Sequence, residues 1–117
     1  MKKVTVIVRQ REINKLFPQA FQLTLKDEAS IIDIVKAVDE EIKKKVGVFL
    51  VGKYKSLLQM IYHSNENRFY KQVAIHAHAK SKPINVRENP TAPLPDETTI
   101  IIPENGCQTD WEEPIQP

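Results

Sequence analysis

The sequence is poor in the residues that several kinds of functional site require. Its single cysteine, Cys107, excludes a disulfide within the chain and favours a reducing, cytoplasmic setting. Only three glycines occur in 117 residues, which disfavours a glycine-rich phosphate-binding loop. No apolar run approaches the roughly 20 residues of a membrane-spanning helix. The start, Met1-Lys2-Lys3, leads directly into a strand-like segment with no signal-peptide cleavage site.

The sequence also lacks an excess of charge of either sign. It has 17 Lys and Arg against 15 Asp and Glu, a formal net charge of +2, and the two signs are interspersed. Such a chain favours neither nucleic acid nor an anionic membrane as a partner. A hydrophobic fraction of 41% is typical of one soluble domain with one core.

One segment, Ser30–Lys45, has an unambiguous helical period. Ser30 with Asp33 three residues later is a variant of the capping box, and Gly47 follows as a left-handed end. An amphipathic helix must bury its apolar stripe against another element. The predicted stripe consists of Ile31, Ile34, Val35, Val38 and Ile42.

Alternation of apolar and polar residues predicts strands on both sides of this helix. A shorter helix is predicted over Lys53–His63, whereas Val46–Val51 is compatible with a strand, a turn or a continued helix. Polar connections are predicted over Gln10–Gln19 and Ser64–Arg68, and a turn at Ser81–Pro83. The predicted strands are Lys3–Arg9, Phe21–Leu25, Gln72–Lys80, Ile84–Val86 and Thr98–Ile102.

The last predicted strand, Thr98–Ile102, reads TTIII and is apolar enough to be central and buried on both faces. A first and a last strand that are both interior would pair side by side and in parallel, with the main helix packed across them. This order of two strands, a helix, inserted material and three strands predicts an α+β fold of the β-grasp type.

Three stretches carry a likeness to a known family: the opening VTVIVR, the helix entry LTLKDEASIIDIV, and PLPDETTIIIP at Pro93–Pro103. Over roughly Lys3–Pro103 the chain resembles the ubiquitin-like ThiS/MoaD β-grasp family of small sulfur carriers. The resemblance implies a mixed sheet packed on one main helix in a domain of residues 1–103. The second helix, predicted from its spacing, belongs to an insertion, Val46–Phe69, that exceeds a minimal carrier. Residues 104–117 are then an irregular C-terminal tail.

The resemblance implies a non-catalytic function, as a protein-interaction or sulfur-carrier-related module without a cofactor. Its partner would be a protein, such as an adenylating or sulfur-transfer enzyme. Carriers of this family end in a mobile Gly-Gly whose carboxylate is activated. Here Gly106 is followed by Cys107 and the chain continues to Pro117, so a carrier function requires cleavage after Gly106.

Two histidines and two tail residues are further candidates for function. His76 and His78 lie two apart on one predicted strand, so both project from one face and could bind one metal ion, with His63, Cys107 or an acidic residue as a third ligand. The alternative is an ordinary solvent-facing strand surface. Cys107 is either a thiol available for transfer chemistry or an incidental surface cysteine.

Trp111 is the only tryptophan, in an acidic segment that ends at Pro114. A large aromatic residue in a polar tail either folds back over an apolar patch or anchors a partner. Two functions compete with the interaction module: a small metal-binding or enzymatic protein that uses His76 and His78, and an adaptor subunit of a larger enzyme.

Overall fold

The computed structural model describes residues 1–47, 54–103 and 112. The undecided run Val46–Val51 and the start of the second predicted helix fall largely outside these residues. None of the helices in the described ranges is both long and apolar enough to cross a membrane. The elements in chain order are β1 (Lys2–Val8), α1 (Arg11–Asn14), β2 (Ala20–Leu25), α2 (Ile31–Val46), α3 (Leu57–Ile61), β3 (Tyr62–His63), β4 (Arg68–Phe69), β5 (His76–Ala79), β6 (Lys82–Ile84) and β7 (Thr98–Ile102).

Five of the strands form one mixed sheet in the order β2-β1-β7-β5-β6. β1 pairs antiparallel with β2 and parallel with β7, with Val6 opposite Ile100. β5 pairs antiparallel with both β7 and β6. The predicted parallel pairing of the first and last strands is confirmed, and the fold is α+β.

The main helix α2 is built as its sequence predicts. The Ser30 hydroxyl accepts from the Asp33 amide, and the Asp33 carboxylate accepts from the Ser30 amide at 3.0 Å. At the other end, Gly47 has a φ of 88° and its N–H donates to the Lys43 carbonyl. These contacts satisfy helix-end groups that would otherwise lack partners. All five residues of the predicted stripe, Ile31, Ile34, Val35, Val38 and Ile42, are buried.

The core lies between α2 and one face of the sheet. The inward residues of β1, Val4, Val6 and Val8, and those of β7, Ile100 and Ile102, are buried in one cluster with the α2 stripe. Full burial of an aliphatic side chain of this size contributes roughly 1.5 to 3 kcal/mol. Ile13 of α1 and Leu57 of α3 belong to the same cluster, so the described helices bury residues on this side of the sheet.

The opposite face of β7 is only half-buried, at Thr99 and Ile101. The prediction that Thr98–Ile102 is buried on both faces is therefore wrong, although its central position is confirmed. The physical reason is that the helical residues pack on the inner face alone. The apolar composition of Thr98–Ile102 predicts a central strand, but it does not predict that only one face of the sheet is covered.

Asp39 of α2 connects the two longer helices. Its two carboxylate oxygens accept from the N–H groups of Leu57 (2.7 Å) and Leu58 (3.1 Å) at the start of α3. Burial raises the pKa of Asp39 to about 6, against the opposing effect of these two amide donors. The helix α3 is shorter than the predicted Lys53–His63, and its first turn depends on a side chain from another element.

Lys2 is a buried cation at the start of β1, with 3% of the residue exposed. Its Nζ donates to the carbonyl oxygens of Asp27 (2.8 Å), Ala29 (2.7 Å) and Leu94 (2.6 Å). Three acceptors match the three N–H donors of an ammonium group. Burial lowers the pKa of Lys2, while nearby carboxylates raise it. Lys2 therefore joins β1 to the turn before α2 and to the loop before β7.

Two short elements replace predicted polar connections. The segment Gln10–Gln19 contains α1, a single turn in which the Gln10 amide donates to the Asn14 side chain at 2.9 Å. The predicted break at Ser64–Arg68 lies within the hairpin β3–β4, which pairs Tyr62 with Phe69. Elements of two to four residues are too short to show a period in the sequence.

The hairpin β5–β6 turns earlier than the sequence predicts. Lys80 and Ser81 have φ values of 51° and 64°, and Ala79 pairs with Lys82, as in a two-residue turn whose twist matches the strands. The predicted turn at Ser81–Pro83 is wrong because two non-glycine residues adopt the left-handed conformation. Consequently Pro83 lies in the edge strand β6, where proline is tolerated.

Candidate functional site

The outer face of the five-stranded sheet is left uncovered by the described helices. Its residues retain partial or full exposure in every strand. Strand pairing aligns these residues in two rows. The first row crosses all five strands and consists of Gln22, Thr5, Thr99, His78 and Pro83. The second row crosses four strands and consists of Ala20, Ile7, Ile101 and His76.

The two rows combine hydroxyl, amide and imidazole groups with two isoleucines. Neither row contains a Lys, Arg, Asp or Glu. Lys3, near the start of β1, lies on the same face outside the two rows. Depletion of charged residues is one feature that such a face shares with the cores of protein interfaces. The sheet positions these side chains rigidly because register fixes their spacing.

His76 and His78 share this outer face, as their spacing predicts. His78 lies between Thr99 and Pro83, and His76 lies opposite Ile101, so their strand neighbours offer no carboxylate or imidazole. The described residues contain no group of three His, Cys, Asp or Glu that could hold a metal ion.

The proposed third ligand His63 lies elsewhere, in β3. Its Nε2 is 2.9 Å from the Glu66 carboxylate, and its Nδ1 accepts from the Glu66 amide at 3.2 Å. Both ring nitrogens are thus engaged. The metal hypothesis therefore has two imidazoles on one face and no third ligand within the described part of the chain.

The candidate tail residues Gly106, Cys107 and Trp111 lie outside the described residues. Glu112, the next residue, is described, and its side chain is largely enclosed. The tail is therefore anchored to the domain at residue 112, which the predicted division into a domain of residues 1–103 and a tail did not anticipate.

The Glu112 carboxylate accepts three hydrogen bonds from one short segment of the domain. Arg68 donates from Nη1 (2.8 Å) and Nη2 (2.7 Å), and the Lys71 backbone N–H donates at 2.8 Å. Paired guanidinium–carboxylate bonds are among the stronger hydrogen bonds in proteins. They hold the pKa of Glu112 down at about 2 and raise the pKa of Arg68.

The backbone of Glu112 is held separately, by the side-chain amide of Gln72. Gln72 Nε2 donates to the Glu112 carbonyl at 2.9 Å, and the Glu112 N–H donates to Gln72 Oε1 at 3.1 Å. Gln72 is 2% exposed. We call the Arg68 guanidinium, the Lys71 N–H and the Gln72 amide the glutamate cleft.

A second surface feature lies where β1 and β7 end, next to the departure point of the tail. It is an open depression lined by Arg9, Arg11, Asn14, Lys15, Gln19 and Pro103. Three of these six residues are cationic. The positive charge therefore lies at the end of the sheet from which residues 104–117 continue.

The glutamate cleft is barely visible in the sequence. The pattern predicts a polar break at Arg68 and a strand that begins at Gln72, and 40 residues separate Gln72 from Glu112. The only signal is opposite charge, since Arg68 and Lys71 are basic and the Trp111 segment is acidic. Charge alone does not predict which of several acidic residues pairs.

Comparison with known proteins returned no match: no family model matches the chain, and no curated protein or solved structure is significantly similar to it.

Proposed function

We propose that this chain is a non-catalytic ubiquitin-like β-grasp module, related to the sulfur carriers, that a partner protein recognises through the outer face of its sheet. The observation that carries the proposal is the sheet itself. Its strand order is β2-β1-β7-β5-β6, with β1 and β7 parallel, and α2 packs on one face of the sheet. This arrangement supports the β-grasp proposal.

The uncovered face supports a binding role over an enzymatic one. Its two rows contain threonine, isoleucine and histidine side chains and no cluster of acidic and basic groups. A rigid sheet surface of this kind needs no rearrangement before it binds, so little conformational entropy is lost on association. The partner is a protein; an adenylating or sulfur-transfer enzyme is the specific proposal from the resemblance.

Site-specific photo-crosslinking in the native cells tests the binding face. A photoreactive residue at Thr99, in the middle of the outer face, is expected to give one discrete protein adduct. The matched control is the same residue at Lys36, which is exposed on α2. The same adduct from both positions, or an adduct from Lys36 alone, would contradict recognition through the sheet.

The carrier form of the proposal makes a separate prediction about covalent structure. If Gly106 carries the reactive carboxylate, protein from its native cells has an intact mass ending at that residue, or that mass with one oxygen replaced by sulfur. The expected species lacks residues 107–117. A population with only the full-length mass contradicts carrier chemistry and leaves the interaction module with a permanent tail.

A further inference from the structure

The buried side-chain amide of Gln72 hydrogen-bonds to peptide backbone rather than to a side chain. Both of its polar atoms bond to the N–H and C=O of one residue, Glu112, which is the pairing that a neighbouring strand would offer. At 2% exposure, an unpaired amide here would cost free energy. The site therefore fits an extended peptide at this position whatever its side chain.

Side-chain selectivity comes from Arg68 and Lys71. Their three donors lie 2.7 to 2.8 Å from the two oxygens of the Glu112 carboxylate. A glutamine offers one acceptor oxygen and places an N–H₂ group against these donors. An aspartate is one methylene shorter, so it cannot reach the donors while its backbone stays paired with Gln72.

Groups outside the tail hold the cleft in position. Arg87 donates to the carbonyls of Val73 (2.6 Å) and Tyr70 (2.8 Å), which flank Lys71 and Gln72. On the other side, Arg68 Nε donates to Glu66 at 3.3 Å.

Glu66 is itself held by His63. These contacts come from the domain and do not involve residue 112, so they favour the same donor positions when the tail partner is exchanged. Preorganised donors lose little freedom on binding.

We propose that the glutamate cleft is a recognition site for an acidic peptide segment with a glutamate in extended backbone, and that the chain's own residue 112 fills it in cis. The same segment presented in trans competes for the cleft when Glu112 is replaced by alanine, because the tethered tail then loses its three carboxylate hydrogen bonds and keeps only its backbone pairing with Gln72. This site is separate from the outer sheet face, and the proposal does not depend on the carrier or interaction function.

Fluorescence anisotropy with a dye-labelled peptide of residues 108–117, QTDWEEPIQP, tests the site on the full-length chain. The peptide is expected to bind Glu112→Ala protein at least about tenfold more tightly than wild-type protein, because a tethered tail competes at a high effective concentration. Glu113→Ala protein is the matched control and should bind the peptide as weakly as wild type does.

Peptide variants test which side chain is read. Replacing the first glutamate of the peptide by glutamine, QTDWQEPIQP, should weaken binding to Glu112→Ala protein at least about tenfold. The control QTDWEQPIQP should bind like the parent. Adding Arg68→Ala to Glu112→Ala protein should abolish peptide binding. Adding Lys71→Ala instead retains the backbone N–H and should largely preserve binding.

Three results would overturn the proposal: equal peptide affinity for wild-type and Glu112→Ala protein, no binding to Glu112→Ala protein at millimolar peptide, or equal effects of the two peptide substitutions. A circular-dichroism spectrum matching wild type shows that each variant is folded. The photo-crosslinking experiment probes Thr99 on the outer sheet face, and the peptide experiment probes Arg68, Lys71 and Gln72. The proposed function and the proposed peptide site can therefore fail independently.

Discussion

Replacing Lys2 by methionine is expected to lower the free energy of unfolding by about 3 kcal/mol. Methionine retains the apolar stem and loses the three N–H donors to Asp27, Ala29 and Leu94. The Ala29 carbonyl keeps a second donor, the Leu94 N–H at 3.1 Å. The buried Leu94 carbonyl and the part-buried Asp27 carbonyl are then left without this partner, and urea unfolding monitored by circular dichroism measures the loss.

Lys3→Met is the matched control for that experiment. Lys3 is the next residue of β1, but its side chain is exposed and its contacts to Asp96 and Glu97 use backbone atoms. We expect its unfolding free energy to stay within about 0.5 kcal/mol of wild type. Equal losses in the two variants would show that charge, rather than the carbonyl contacts of Lys2, matters for stability.

The contribution of Asp39 to stability is expected to fall as the pH rises. Its pKa is raised from 3.8 to about 6 in the native protein, so between these values the native state holds a proton that the unfolded chain has released. Stability then declines with increasing pH. A pKa raised by this amount lowers the free energy of unfolding by about 3 kcal/mol once the pH is above both pKa values.

The comparison that isolates this effect is wild type against Asp39→Asn from pH 3.5 to 7.5. Asparagine does not titrate and still offers one acceptor to the α3 amides, so the unfolding free energy of wild type minus that of the variant should fall across the range. Glu88→Gln, at an exposed position outside α2, provides the baseline for losing one carboxylate, since Glu40 itself raises the pKa of Asp39. A difference that rises with pH would show that the amide donors of Leu57 and Leu58 outweigh the cost of burial.

The glutamate cleft bears directly on the carrier hypothesis. Cleavage after Gly106 would separate Glu112 from the domain, and the buried Gln72 amide and Arg68 would lose their tail partners. A processed protein would then expose a preorganised site for an acidic peptide. The intact protein instead keeps that site filled, so tail removal and peptide recognition would be coupled.

Local sequence predicted the larger elements because their information is local. The stripe of α2, its capping box at Ser30 and its end at Gly47 all depend on residues within a few positions of one another, and each is found in the structure. The alternation of β1 and the apolar run of β7 likewise predicted a parallel central pair. Short elements such as α1 failed because four residues show no period.

The α+β class, the main helix, the central strands and the shared face of His76 and His78 follow from local sequence pattern. Which charged and polar side chains are buried, and what they bind, depends on the packing of distant segments. Lys2 contacts carbonyls up to 92 residues away, Asp39 caps a helix 18 residues on, and Gln72 holds Glu112. Periodicity reports which residues face a core, whereas hydrogen-bond partners are fixed only when distant segments meet in three dimensions.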